Sequence, residues 1–174
     1  IAYRVPSTAD EYQLEQHPIA MRYYYKDAQV SVLVSSQSNG KDENGRPGNF
    51  FAHSLIMPPD IFTSVPPIFF WKSPFWQKSD PSARTELPTL ADLDIEPTLD
   101  IEQVWSFLHS EQRYLYALMC AVVHMERTQR RIVIIDSDEH VALWVAAISC
   151  LLPPAFRPLL SFATYHHDPY QAQF

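Results

Sequence analysis

Glycine is almost missing from this sequence: there are three in 174 residues, all between Gly40 and Gly48. No glycine-rich loop of the kind that cradles phosphates can form elsewhere, so nucleotide hydrolysis by a P-loop is excluded. Cysteine is as scarce. Cys120 and Cys150 are the only two, too few for a disulfide framework. Both lie in apolar helical patterns and read as buried, inert thiols. That fits a reducing compartment, and the expected location is the cytoplasm. No apolar run reaches the ~18 residues of a spanning helix, so no membrane partner is expected. Bases number 13 against 20 acids, a formal net charge of −7. Such a balance argues against nucleic acid as a partner. The strand-to-helix serine elbow of hydrolases is absent as well.

What is present suits a folded domain. Hydrophobic residues make up 47% and charged residues 19%, which excludes a disordered chain. A chain of this size buries roughly 70% of its unfolded surface, so it needs no staples. The first residue, Ile1, follows no charged-then-apolar leader and reads as a trimmed end or the start of the ordered part. Charge is unevenly spread. From Thr85 to Gln112 there are seven acids and no Lys or Arg; the thirteen acids elsewhere match the thirteen bases. The first half of that block carries Pro88 and Pro97 and reads as a linker. It sets a boundary near residue 95, with a mostly β domain over 1–95 and an α/β domain over 96–174.

Before the boundary the pattern is strand-like. Met21–Lys26 is aromatic, Ala28–Ser36 places Val30, Val32 and Val34 on one face, and Phe50–Met57 ends at two prolines. Pro67–Trp76 reads as a short strand and a turn. After the boundary the period becomes helical. Asp100 is the expected N-cap of Ile101–His109, with Val104, Trp105 and Leu108 on one face. Glu111–Arg127 has the strongest helical periodicity, with Tyr114, Leu118, Ala121, Val122 and Met125 on its apolar stripe. Arg131–Ile135 reads as a buried strand. Asp136 and Glu139 have the form of a capping box for a helix running to about Leu151. Leu159–Tyr165 reads as a last strand, so a β-α-β crossover is expected. The fold class is α+β: a mostly β amino-terminal part packed against a helical part containing that short β-α-β unit.

Four groups of residues could carry chemistry or contacts. Arg46, Asn49 and His53 could form a polar site in which Arg46 holds an anion; alternatively, Asn49 serves a turn and His53 is hydrogen-bonded within a sheet. Asp136, Asp138 and His140 could ligate a divalent cation; alternatively, they are the acidic first turn of a capped helix. In Tyr165–Asp168, adjacent histidines on extended chain point to opposite sides, while His166 and Asp168 share one. The rings of Phe69, Phe70, Trp71, Phe75 and Trp76 are either core or an exposed contact patch, with Phe70, Trp71, Phe75 and Trp76 as candidate interface residues. Arg127, Arg130 and Arg131 gather at a helix end, where they offset its dipole.

Three stretches together carry a resemblance: Gly45–Ile56, the Phe70–Trp76 segment, and Arg131–Tyr165. This combination resembles the bacterial GTPase-associated protein 1 family, its amino-terminal region of type 2 followed by its middle domain. Arg46, Gly48, Asn49 and His53 match the core of the first region. Leu152-Pro153 and Leu160–Tyr165 match the end of the second. The resemblance implies an adaptor that accompanies a GTPase, or another protein of the same bacterial conflict or signalling system, without nucleotide chemistry. It implies no cofactor and no catalytic residue. Members of that family are longer, which implies that this chain is a fragment. The alternative is a metal- or anion-dependent hydrolase-like enzyme using Arg46, Asn49 and His53, or Asp136, Asp138 and His140.

Overall fold

Aromatic and β-branched runs form strands because such side chains fit a pleated, half-buried surface. In the computed structural model, which describes residues 3, 17–46, 48–79, 89–90, 95–128 and 130–169, they do so as β1 (Ala20–Tyr25), β2 (Ser31–Ser38) and β3 (Phe50–Met57). The three pair as antiparallel neighbours. Asp27 makes the first turn, its carboxylate accepting from the N–H groups of Gln29 and Val30 at 2.8 and 2.9 Å. That turn delays β2 to Ser31, three residues later than the sequence pattern suggests. In the second hairpin loop Gly45 has φ of 74° with open space where a side chain would sit, so its backbone alone demands glycine.

Register decides which residues become core. Met21, Ser35 and His53 lie side by side across the sheet, as do Tyr23, Leu33 and Leu55, and Tyr25, Ser31 and Met57. These rows share one face, and Met21, Tyr23 and Leu33 on it are fully buried. Val32 lies on the opposite face opposite Tyr24 and Ile56, both of which are exposed.

Among the described residues three helices follow: α1 (Ile101–Ser110), α2 (Gln112–Thr128) and α3 (Asp138–Leu151). Asp100 caps α1 as expected, accepting from the Glu102 N–H at 3.0 Å. Val104, Phe107 and Leu108 are buried, but Trp105 is 50% exposed and Tyr114 of α2 is exposed too. α3 is the central helix, with an unbroken buried run from Val141 to Ser149. Its cap is Ser137, whose hydroxyl accepts from the His140 N–H at 3.3 Å. The expected Asp136–Glu139 capping box is therefore displaced by one residue, because the Asp136 carboxylate is engaged elsewhere. At its other end Arg157 donates to the carbonyls of Cys150 and Leu152, and also to Thr63. A cation there offsets the helix dipole and ties α3 to the 3-10 turn Pro59–Thr63.

The last strand, β4 (Phe162–Ala163), completes the sheet in the order β3-β2-β1-β4. It runs antiparallel to β1, with Phe162 opposite Tyr23. It is two residues long because hydroxyls replace the ladder on both sides. Ser161 Oγ accepts from the Tyr25 N–H at 3.0 Å and Thr164 Oγ1 from the Met21 N–H at 2.9 Å. The molecule is thus α+β, with an antiparallel sheet in the amino-terminal part and helices in the carboxy-terminal part.

Two elements differ from expectation. Arg131–Ile135 forms no strand and pairs with none among the described residues, and Ile135 is 90% exposed. The β-α-β crossover does not form: a wholly apolar run shows no period that would reveal a bare side, and β4 docks on β1 instead. Pro67–Trp76 holds no strand either. Pro66 and Pro67 start a 3-10 turn over Pro67–Phe70, consistent with the φ that proline imposes. Its rings turn inward. Ile68, Phe69, Phe70, Trp71 and Trp76 join one core with residues of the sheet, α1, α3 and Phe162. The expected boundary near residue 95 leaves a linker that lies mostly outside the described residues. Ile95 is in the core, and Thr98 donates to the carbonyls of Phe69 and Trp71.

Candidate functional site

His53 stands on β3 beside Ser35. Its Nδ1 accepts from the Gln77 N–H at 3.2 Å, and its ring stacks on Phe75 with centroids 5.4 Å apart and meets Trp76 edge-on. Asn49 lies at the base of the hairpin, its carbonyl accepting from the Asn39 N–H at 2.9 Å. The two share a strand face, but four residues of strand separate them by roughly 13 Å. Arg46 is exposed in the loop beyond, its N–H and carbonyl both bonded to Asp42. Among the described residues no hydrogen bond or ion pair brings the three side chains together.

Burial holds the His53 imidazole below its ordinary pKa, since desolvation disfavours the charged ring. The unfolded chain therefore takes up its proton at higher pH than the folded one. Stability from this group is complete above about pH 6.5 and is lost as the pH falls below it. The urea midpoint is expected to fall between about pH 7.5 and about pH 5, and less so in His53→Gln. Burial depresses His166 in the same direction, so part of the fall persists. An unchanged pH profile in the variant removes His53 from this account.

The acidic stretch before α3 is divided among separate tasks. Asp136 Oδ1 lies 3.0 Å from His140 Nδ1 and also accepts from the Ser137 N–H, while Oδ2 accepts from Trp144 Nε1 at 3.3 Å. Burial is the largest single influence on the Asp136 carboxyl and raises its pKa, but these bonds and the His140 charge together outweigh it and leave the carboxyl below its usual value. Glu139 pairs instead with Lys72 at 2.9 Å. Asp138 is half-buried, and burial pushes its carboxyl upward. Among the described residues no three His, Cys, Asp or Glu side chains group as metal ligands would. In the last segment His166 and His167 stack, with centroids 5.2 Å apart. They do not diverge as alternation suggests, because a turn bonds the Asp168 N–H to His166 Nδ1 at 3.1 Å.

Phe70, Trp71 and Trp76 are buried and Phe75 half-buried, the core alternative of the two readings of this segment. Cys120 and Cys150 are free and only half-buried. Burial still raises the Cys150 thiol, with Arg157 opposing it in part.

The uncovered apolar surface lies on other elements. Among the described side chains of α2 only Val122 is buried, while Tyr116 and Val123 are 81% and 68% exposed. Beside its end opens a groove of about 840 Å³, lined by Val122 and Met125, by residues 130–136, by Asp138, Val141, Val145 and Ile148 of α3, and by residues 160–166 and Pro169. Sequence reasoning missed this groove because it placed Arg131–Ile135 inside a sheet. The flanking Arg130-Arg131 and Asp136 were the available signal: charges at both ends of so short a run suit a solvent-facing segment. No helix of the described residues is long and apolar enough to cross a membrane.

Residues 1–93 match the family model for GTPase-associated protein 1, N-terminal domain type 2, and residues 104–174 match that for GTPase-associated protein 1, middle domain. The chain is 28% identical over 161 residues to a protein of Mycolicibacterium smegmatis whose name puts it forward as an ESX-1 scaffolding and assembly protein, SaeB. A protein of the same name from a second strain is equally similar. Each alignment covers 88% of this chain and 20% of the relative, so the chain spans about a fifth of the length of the curated relatives it matches. No solved structure matches at the stringency these relatives meet.

Proposed function

We propose, since the chain belongs to the GTPase-associated protein 1 family, that it is a non-enzymatic adaptor module that binds a GTPase, or another protein of the same bacterial conflict or signalling system. The observation that carries this reading is the distribution of side chains. The chemically versatile residues His53, Asp136 and His140 are engaged in local contacts. Apolar surface on α2 and around the groove is meanwhile left uncovered. Such patches mark contact surfaces. The scaffolding name of the mycobacterial relatives agrees with a role in holding proteins together. The two free cysteines fit a reducing compartment, and the cytoplasm is the proposed location. Residues 1–95 and 96–174 are proposed as two units closed over a common core.

The test is a titration of the purified chain with the GTPase encoded beside its gene, loaded with GDP or with a non-hydrolysable GTP analogue. A complex of micromolar affinity or tighter, about −8 kcal/mol, is expected in at least one nucleotide state. No complex in either state overturns the reading. So does small-molecule turnover by the chain that vanishes in His53→Ala.

A further inference from the structure

The sheet has one edge on β4, and its backbone orientation follows from the ladder. Ala163 stands opposite Arg22, and the next residue, Thr164, donates its N–H to the Met21 carbonyl at 2.9 Å. Successive residues of an antiparallel strand direct their N–H and C=O groups to opposite sides. Those of Ala163 therefore point away from β1. Residues 160–166 line the groove of about 840 Å³, so the edge borders it. Residues 131–135, which belong to no helix or strand among the described residues, line the same groove. The outer edge of β4 thus borders a largely apolar space, and an unpaired edge of this kind is a template for strand addition.

Charge selects what fits. Arg130 and Arg131 line one end of the groove, exposed and without an ion-pair partner among the described residues. Asp136 is already taken by His140 and Trp144, and the other carboxylate of the lining, half-buried Asp138, stands at the start of α3. At the end formed by Arg130 and Arg131 the available charge is therefore positive. Met125, Val145 and Ile148 supply apolar lining.

We propose that this groove accepts an extended segment of the partner protein, apolar on alternate residues and carboxylate-bearing at the end over Arg130 and Arg131, as a strand added to the outer edge of β4. The proposal rests on the adaptor reading and assigns its contact surface.

The probe is the amidated peptide Glu-Glu-Val-Thr-Val-Thr-Val carrying an amino-terminal fluorophore, compared with its Lys-Lys counterpart by fluorescence anisotropy. The acidic peptide is expected to bind at least about tenfold more tightly, with the preference reversed in an Arg130→Glu, Arg131→Glu variant and weakened by salt. Ala163→Pro is expected to weaken binding about tenfold or more, because it removes the outward N–H while leaving the bonds to β1 in place. Ile135→Asp, at an exposed site, gives a second block should the proline variant misfold. No binding up to about 1 mM (about −4 kcal/mol), equal binding of the two peptides, or binding indifferent to both blocks overturns the proposal. A dimer of the free chain that Ala163→Pro dissolves also overturns it, in favour of a second copy as occupant. The same variants are then titrated with the GTPase. A complex undiminished in both overturns the groove as the contact and leaves the adaptor reading standing. Absence of any complex, with the peptide bound as described, overturns the adaptor reading instead.

Discussion

Trp76→Ala is expected to lower the unfolding free energy by about 3–5 kcal/mol, a large share of the ~5–15 kcal/mol that holds a domain together. Trp76 is 7% exposed. Its ring meets His53 and Phe75 edge-on, with centroids 5.5 and 5.6 Å away. Its Nε1 donates to the Phe70 carbonyl at 2.7 Å. Truncation leaves a cavity and takes one of two donors from the Phe70 carbonyl, which keeps the Ser73 N–H at 3.1 Å. Trp76→Phe keeps a six-membered ring but loses the pyrrole half of the indole with its N–H, and is expected to cost less than Trp76→Ala, about 1–3 kcal/mol. Urea unfolding followed by circular dichroism measures both. A Trp76→Ala variant within about 0.5 kcal/mol of the parent, the range of ordinary surface substitutions, contradicts the placement of this segment in the core.

The second large effect is expected at Tyr23, where β1 meets residues 158–162. Tyr23 is fully buried on β1. It packs edge-on against Phe62 at 5.3 Å and beside Phe162 at 6.0 Å, and its hydroxyl donates to the Pro158 carbonyl at 2.8 Å. Tyr23→Ala should cost about 3–5 kcal/mol, as for other buried aromatics. Tyr23→Phe, which strands the Pro158 carbonyl, should cost about 1–3 kcal/mol. Combined with Phe62→Ala, the Tyr23→Ala loss should be less than additive by roughly 0.5–1.5 kcal/mol, the worth of an aromatic pair. Strict additivity in that cycle contradicts the contact.

Local chemistry was the most legible part of the fold. Residues 50–57 read correctly as a strand because alternation and the two following prolines agree. Asp100 and the helix ending near Leu151 were visible through capping chemistry and Pro153-Pro154. The alternation that places His53 with Leu55 on the inner face needs no more than the pleat. Long-range pairing was not legible. Whether Arg131–Ile135 pairs with Leu159–Tyr165 depends on where β1 sits, and no period in an unbroken apolar run records that. The hydroxyls at Ser161 and Thr164, which replace ladder bonds to Tyr25 and Met21, look in sequence like ordinary strand residues. Trp105 and Tyr114 were assigned inward by spacing alone. Their exposure reflects the slight packing of α2, a property of the tertiary arrangement. For the candidate sites, strand alternation accounts for the place of His53 within β3 and helix-start chemistry for that of Asp136, while their partners Gln77 and Trp144 come from pairings that no local pattern records.

β4 reaches β1 from 143 positions away, and that has a bearing on inheritance. The two family regions read as separate modules along the chain, yet the first lacks its fourth strand and the second lacks the surface on which Phe162 rests. Exchanging one region for a relative's keeps the fit around Tyr23 only where the incoming side chains match across the contact of Tyr23 with Phe162. Wherever they do not, a chimaera spliced between the regions starts life with a mismatched seam.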